Sequence, residues 1–232
     1  KNRQRPCTHL FLLGDIFDLW IADHPFFIHH HQSLINEIKR LLSENIEVHF
    51  FEGNHDLYLQ KLWGDQWGVK VHTQATYINL GPFCLRLEHG DQMDPTDKGY
   101  FFLRWLLRTP LVKCLAHHLP SFWVTQLGQL ASRQSRNYTS YHKTQDNSVA
   151  HQKMSLHAEL TFAKKPFDLL IAGHQHAFLD RTLSHYRVIN LGSWMQEPGY
   201  LVAHFNNEKW EQAQNNRYHH VNELFHWVSL PT

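Results

Sequence analysis

The sequence has almost no net charge. Its 22 Lys and Arg face 21 Asp and Glu over 232 residues, a formal +1. Binding a nucleic-acid backbone draws on a concentrated positive field, so a general nucleic-acid partner is not expected. Cysteine is scarce too. Cys7, Cys84 and Cys114 are odd in number, lie far apart and form no C-x-x-C pair. A thiolate zinc site and a disulfide framework are both poorly supported, and buried free thiols in a reducing compartment are expected. No apolar run is long enough to span a bilayer, which takes about 20 residues. The most apolar long stretch, residues 100–127, is broken by Arg104, Arg108 and Lys113. Such a stretch can still lie on a membrane surface. Residues 1–6 are polar and the first apolar run ends at Gly14-Asp15, so no signal peptide is expected. Internal repeats and low-complexity linkers are missing as well.

What is abundant is histidine, 21 in all, one for every carboxylate. With 42% apolar and 19% charged residues the chain is expected to be ordered. A chain of this size buries roughly 70% of its unfolded surface, enough for a sizeable core. One large domain or two small ones would fit. The simplest account is a single domain over residues 1–232 with a helical insertion at about 97–162.

The order of elements points to an α/β chain. Leu10-Phe11-Leu12-Leu13 reads as a short buried strand. Leu34, Ile35, Ile38, Leu41 and Leu42 recur at helical spacing, predicting a helix over about residues 26–44. Residues 46–51 read as the next strand, which makes a βαβ unit. Residues 76–80 and 83–88 read as two strands joined by Gly81-Pro82, with Phe83, Leu85 and Leu87 on one face. Residues 97–162 are mainly helical, broken near Pro110 and Pro120 and by a polar stretch at 133–148. Further strands are expected at 167–172, 187–191 and 200–205.

Four polar motifs each follow an apolar strand: Gly14-Asp15, Gly53-Asn54-His55-Asp56, His89-Gly90-Asp91 and Gly173-His174-Gln175-His176. Taken singly, each has a plain structural explanation as a turn or as a satisfied loop residue. Ligands of α/β sheets gather beyond the carboxyl ends of the strands, so the four together are expected to serve one pocket. Asp15, Asn54, His89, His174 and His176 offer oxygen and nitrogen without thiolate, which suits Mn, Fe or Zn better than Ca. A carboxylate can bridge two ions, and the ions lower the pKa of a shared water toward neutrality, so that the resulting hydroxide attacks phosphorus. His55, beside Asn54, can steady or protonate the leaving oxygen.

These motifs, in this order, resemble the series of the calcineurin-like metallophosphoesterases over nearly the whole chain. The resemblance implies a four-layer αββα sandwich of the α/β (α+β) class with a helical lid insertion. It implies that Asp15 bridges two divalent ions, Mn first and Fe or Zn as alternatives. Asn54, His89 and His174 then bind the second ion and His176 the first. That family opens with a D-x-H motif on its first strand. No Asp-x-His lies upstream of Gly14, so the amino-terminal strand is expected to be missing, leaving Asp15 and His176 for the first ion.

A narrower resemblance is carried by Gly14-Asp15-Ile16-Phe17-Asp18-Leu19-Trp20, by residues 89–100, by Ser132-Arg133-Gln134-Ser135-Arg136 and by Ile189-Asn190-Leu191-Gly192-Ser193-Trp194. These are similar to the UDP-2,3-diacylglucosamine pyrophosphatases of lipid A synthesis. The resemblance implies cleavage of a lipid-linked nucleotide sugar to UMP and an acylated sugar 1-phosphate. It implies a cytoplasmic, peripheral place on the inner membrane, no obligate protein partner, and substrate contacts from Asn54, Tyr100, Arg133, Ser135 and Arg136. Many members carry Arg where His55 stands, which keeps open a phosphoesterase acting on another substrate. A third reading is a metal-poor scaffold that binds proteins, as in the retromer subunit of this superfamily; five donors kept at strand ends argue against it. Interleaved Phe101, Phe102, Trp105, Leu111 and Leu115 with Arg104, Arg108 and Lys113 suit an acyl-chain pocket or an interfacial helix, and equally an ordinary packed subdomain.

Overall fold

The computed structural model describes residues 7–124, 126, 147–204 and 217–230. The chain divides into two compact units, Lys1–Gln74 with Thr96–Lys143, and Ala75–Pro95 with Thr144–Thr232.

The first unit is built on a parallel sheet. β1 (His9–Leu12) pairs with β3 (Glu47–Phe51), and β3 with β5 (Lys70–His72), in the order β1-β3-β5. Parallel neighbours need a crossover, and β1 reaches β3 through α1 (Pro25–His30) and α2 (Gln32–Ser43). The single helix expected here is thus two, parted at His31 with φ −108°. Histidine is a weak helix former, and the His31 ring packs 4.5 Å from Phe17 and 6.0 Å from Trp20. Local packing therefore overrides the helical period. Proline at the first turn fits the start of α1, where an amide proton would have no partner. From α2, Ile35 and Ile38 are buried in a core with Val48, Phe50, Leu59 and Trp63. Trp20 and Trp63 meet edge-to-face at 5.4 Å in that core. A two-stranded parallel ladder joins β2 (Trp20–Ile21) to β4 (Asp56–Leu57).

Two further helices belong to this unit. α3 (Lys98–Leu107) is capped by Asp97, whose carboxylate accepts the Tyr100 amide at 2.9 Å. α4 (Pro110–His118) again starts on proline. Polar bonds tie both to the rest of the unit. Arg108 pairs with the buried Glu52 at 2.9 Å, the Tyr58 hydroxyl donates to the Leu107 carbonyl, and His117 donates to Asp23 at 2.7 Å. Neither helix buries a side chain fully.

The second unit carries a mixed sheet of order β6-β7-β8-β10-β9. β6 (Thr76–Leu80) and β7 (Phe83–Glu88) form an antiparallel hairpin. β8 (Leu169–Ala172) runs parallel to β7, and β10 (Arg187–Asn190) parallel to β8, while β9 (Leu179–Thr182) closes the edge antiparallel to β10. Every residue of β8 and β10 is buried, as expected of central strands covered on both faces. α5 (Asn147–Lys164) lays Met154 and Ala158 against Leu170, Ala172 and Val188. β11 (Gly199–Ala203) pairs with β12 (Phe225–Ser229), which follows α6 (Arg217–Leu224). Arg187, 8% exposed, binds Asp180 through two nitrogens and the Val221 and Phe225 carbonyls through a third. No helix among the described residues is long and apolar enough to cross a membrane.

Candidate functional site

In the first unit the donors sit beyond β1 and β3. After Leu13 the chain turns through two left-handed residues, Gly14 (φ 86°) and Asp15 (φ 52°). Glycine adopts that conformation freely, whereas an aspartate there is held by its surroundings. The surroundings are the loop after β3. Asp15 Oδ1 accepts the His55 amide at 3.0 Å. The Asp56 carboxylate accepts the amides of Asp15 at 2.7 Å and Ile16 at 3.2 Å. Gly53 makes this approach possible: a Cβ there would fall 2.2 Å from Asp15 Oδ1. Asn54 lies between Gly53 and His55 in the same loop, partly buried.

His55 is fixed at both ends of the residue. Its carbonyl accepts the Trp20 amide at 2.7 Å, and its Nδ1 lies 2.9 Å from the Asp18 carbonyl. A carbonyl only accepts, so Nδ1 carries a proton and donates. Tyr100, expected to touch substrate, stands partly buried in the first turn of α3. Arg133, Ser135 and Arg136 lie outside the described residues.

The second unit presents its donors beyond β7 and β8. The two strands are parallel neighbours with Glu88 opposite Ala172, so their carboxyl ends lie side by side. His89 follows one and Gly173-His174 the other. The Gly173 amide donates to the His89 carbonyl at 2.9 Å, and the His89 and His174 rings meet edge-on at 5.0 Å. His89 is buried, His174 half-buried with φ 62°, and His176 exposed. Gly90 takes φ 104°, and a Cβ there would crowd the Gly173 carbonyl at 3.0 Å.

Sequence reasoning gave no role to Asp56 or to Asn190. Asn190 is 1% exposed, donates to the Gly173 carbonyl at 2.9 Å and accepts the Gly192 amide at 3.0 Å, fixing the turn that carries His174. A polar residue ending an apolar strand, as in Val188-Ile189-Asn190, is the signal that would have found it. Glu88 is buried next to His89, between Arg86 and His157, each at 2.6 Å.

One unit thus offers a carboxylate, an amide and an imidazole, and the other three imidazoles, all on strand-end turns. No donor is a thiolate. Donors of these kinds fit first-row divalent ions, as a metal-dependent hydrolase would use. The calcineurin-like phosphoesterase family matches residues 2–178, and the chain belongs to that family. Its fold is the mixed α/β metallophosphoesterase fold, and it is a hydrolase.

Individual relatives narrow the comparison. The chain is 28% identical over 206 residues to a UDP-2,3-diacylglucosamine hydrolase of Porphyromonas gingivalis, covering 83% of this chain and 79% of the relative. It is 27% identical over 227 residues to a UDP-2,3-diacylglucosamine hydrolase of Pseudomonas putida, covering 88% of each. Among solved structures it is similar to an archaeal phosphodiesterase at 12% identity and a TM-score of 0.39, over 91% of this chain and 98% of that one.

Proposed function

We propose that this protein hydrolyses the pyrophosphate bond of UDP-2,3-diacylglucosamine, releasing UMP and 2,3-diacylglucosamine 1-phosphate. The relatives' names support the reaction. The observation that carries the substrate class is the apolar surface of α3 and α4, where Phe102 and Trp105 are each 63% exposed and Leu111 is 70% exposed. Exposed apolar area of this kind marks a binding surface, and acyl chains laid on it would contribute about 0.8 kcal/mol per buried CH₂. Arg104 and Lys113 stand on the same helices and suit an anionic lipid surface. A cytoplasmic enzyme working peripherally at the inner membrane follows from that reading.

Asp15, Asn54, His89, His174 and His176 would hold two divalent ions, with Mn expected. When bound, such ions polarise phosphoryl oxygens and acidify a water. The protein's own part is positioning and proton handling. Asp15 presents a carboxylate whose Oδ1 already accepts the His55 amide, which sets its plane. His55 commits Nδ1 to the Asp18 carbonyl, so Nε2 is the nitrogen that meets the leaving oxygen and can carry a proton to it. Tyr100, Arg133, Ser135 and Arg136 are the proposed substrate contacts, the arginines because a guanidinium grips two phosphate oxygens at once.

The test is product analysis with the full-length protein and added Mn²⁺. UMP and the acylated sugar phosphate should appear in equal amounts from the diacyl substrate. Turnover of a small aryl phosphodiester with no UMP from the diacyl substrate would refute the assignment.

A further inference from the structure

We infer that Asp56 is a positioning residue for Asp15; the inference rests on the reading of Asp15 as a metal ligand. Asp56 is 0% exposed, and a buried carboxylate is costly unless its oxygens are well bonded. Its two oxygens accept the amides of Asp15 and Ile16, at 2.7 and 3.2 Å. Both donors lie in the turn that carries the ligand. Asp15 stands at φ 52°, a left-handed conformation uncommon for a residue with a Cβ and favoured here by its neighbours' bonds. With both of its oxygens accepting amides of that one turn, the Asp56 side chain is suited to hold it.

The hold is reciprocal. Asp56 fixes the backbone of residue 15, and the His55 amide fixes the Asp15 carboxylate at 3.0 Å. Asp56 also opens β4 and pairs with Trp20 in β2, so its own backbone is anchored in a ladder outside the loop. Through these bonds the ladder sets the direction in which the Asp15 carboxylate points. Outer partners that orient a metal ligand are typically worth 10–100-fold in metal affinity.

The experiment is calorimetric titration of the chelator-stripped, full-length protein with Mn²⁺, with Mn²⁺ electron paramagnetic resonance as a second readout. Native protein, Asp56→Asn and Asp168→Asn are compared, with circular dichroism to follow the fold. Asparagine keeps the shape but turns an NH₂ toward a backbone donor. Asp168→Asn is the matched control: Asp168 is 6% exposed and accepts the Cys84 amide at 2.7 Å, ahead of β8 and away from the strand ends that carry His89 and His174. Asp56→Asn should weaken Mn²⁺ binding by about 10-fold or more, while Asp168→Asn stays within about twofold of native. Equal affinity in native protein and Asp56→Asn would overturn the inference alone, and so would equal losses in both variants. A native protein that binds no Mn²⁺ would sink the metal reading and the inference with it. If Asp56→Asn does not reach the native spectrum, Asp56→Glu keeps the charge, displaces it by one methylene, and is measured for the same two outcomes.

Discussion

His55 shows how one hydrogen bond decides a side chain's chemistry. With Nδ1 donating to the Asp18 carbonyl, Nε2 is the nitrogen left for the proton transfer proposed for this residue. His55→Gln retains a donor but cannot transfer a proton. It should lower kcat by roughly 100-fold or more, the usual weight of a positioned acid or base, with Mn²⁺ affinity near native by calorimetry. Loss of Mn²⁺ binding instead would make residue 55 a ligand. Asp15, Asn54, His55, His89, His174 and His176 stood out in the sequence because each sits in a short motif after an apolar run, and the structure sets those motifs after β1, β3, β7 and β8. Asp56 stood in the same Gly-Asn-His-Asp string, yet its role was not legible. Its bond reaches a backbone amide 41 residues away, and no local spacing encodes such a contact. Asn190 was hidden for the same reason.

At the scale of elements, long periodic segments were readable and short paired ones were not. The hairpin β6–β7 follows the alternation of Phe83, Leu85 and Leu87 and matches its expected limits. β5, β9 and β12 were not expected, because three to five residues of mixed polarity become strands only when a neighbour supplies the ladder. α1 and α2 merged in the sequence because the period runs on through His31 while packing against Phe17 breaks it. The face of α3 carries its own prediction. Phe102 and Trp105 are mostly exposed, so Phe102→Ser with Trp105→Ser should change stability by less than about 1 kcal/mol. If acyl chains cover them, each side chain is worth about 1.5–3 kcal/mol. KM for the diacyl substrate should then rise at least 10-fold, while kinetics with a small aryl phosphodiester stay unchanged. Equal effects on both substrates would remove the acyl role from this face.

For the molecule as a whole, the histidine surplus bears on acid stability. His49 and His72 stack across β3 and β5 with rings 5.2 Å apart and a 2.9 Å Nδ1–Nε2 bond, beside Glu47, Lys70 and His9. Burial, then the charges of His49 and Lys70, push His72 down to about 4 from the usual 6.5. Burial also lowers His49, against the pull of Glu47. The folded protein therefore holds these rings neutral where the unfolded chain takes up protons. The contribution of His72 is complete above pH 6.5 and is lost as pH falls toward 4, and that of His49 is lost in the same direction. Melting curves of chelator-treated protein from pH 7.5 to 5 should decline less steeply for His72→Phe than for native protein; parallel slopes would refute the effect. Asp23 acts in a lower window. Burial raises its pKa, but hydrogen bonds from Lys61 and His117 outweigh that and hold it at about 2, so its share disappears between pH 3.8 and 2. The clasp between the turns at residues 14–16 and 53–56 has a last consequence, for inheritance. Two loops that share three hydrogen bonds and a forced glycine behave as one heritable unit, though about 40 residues part them. A chimera whose crossover falls between residues 17 and 52 would wed one parent's turn to the other's, and should recover function only where both halves of the clasp match.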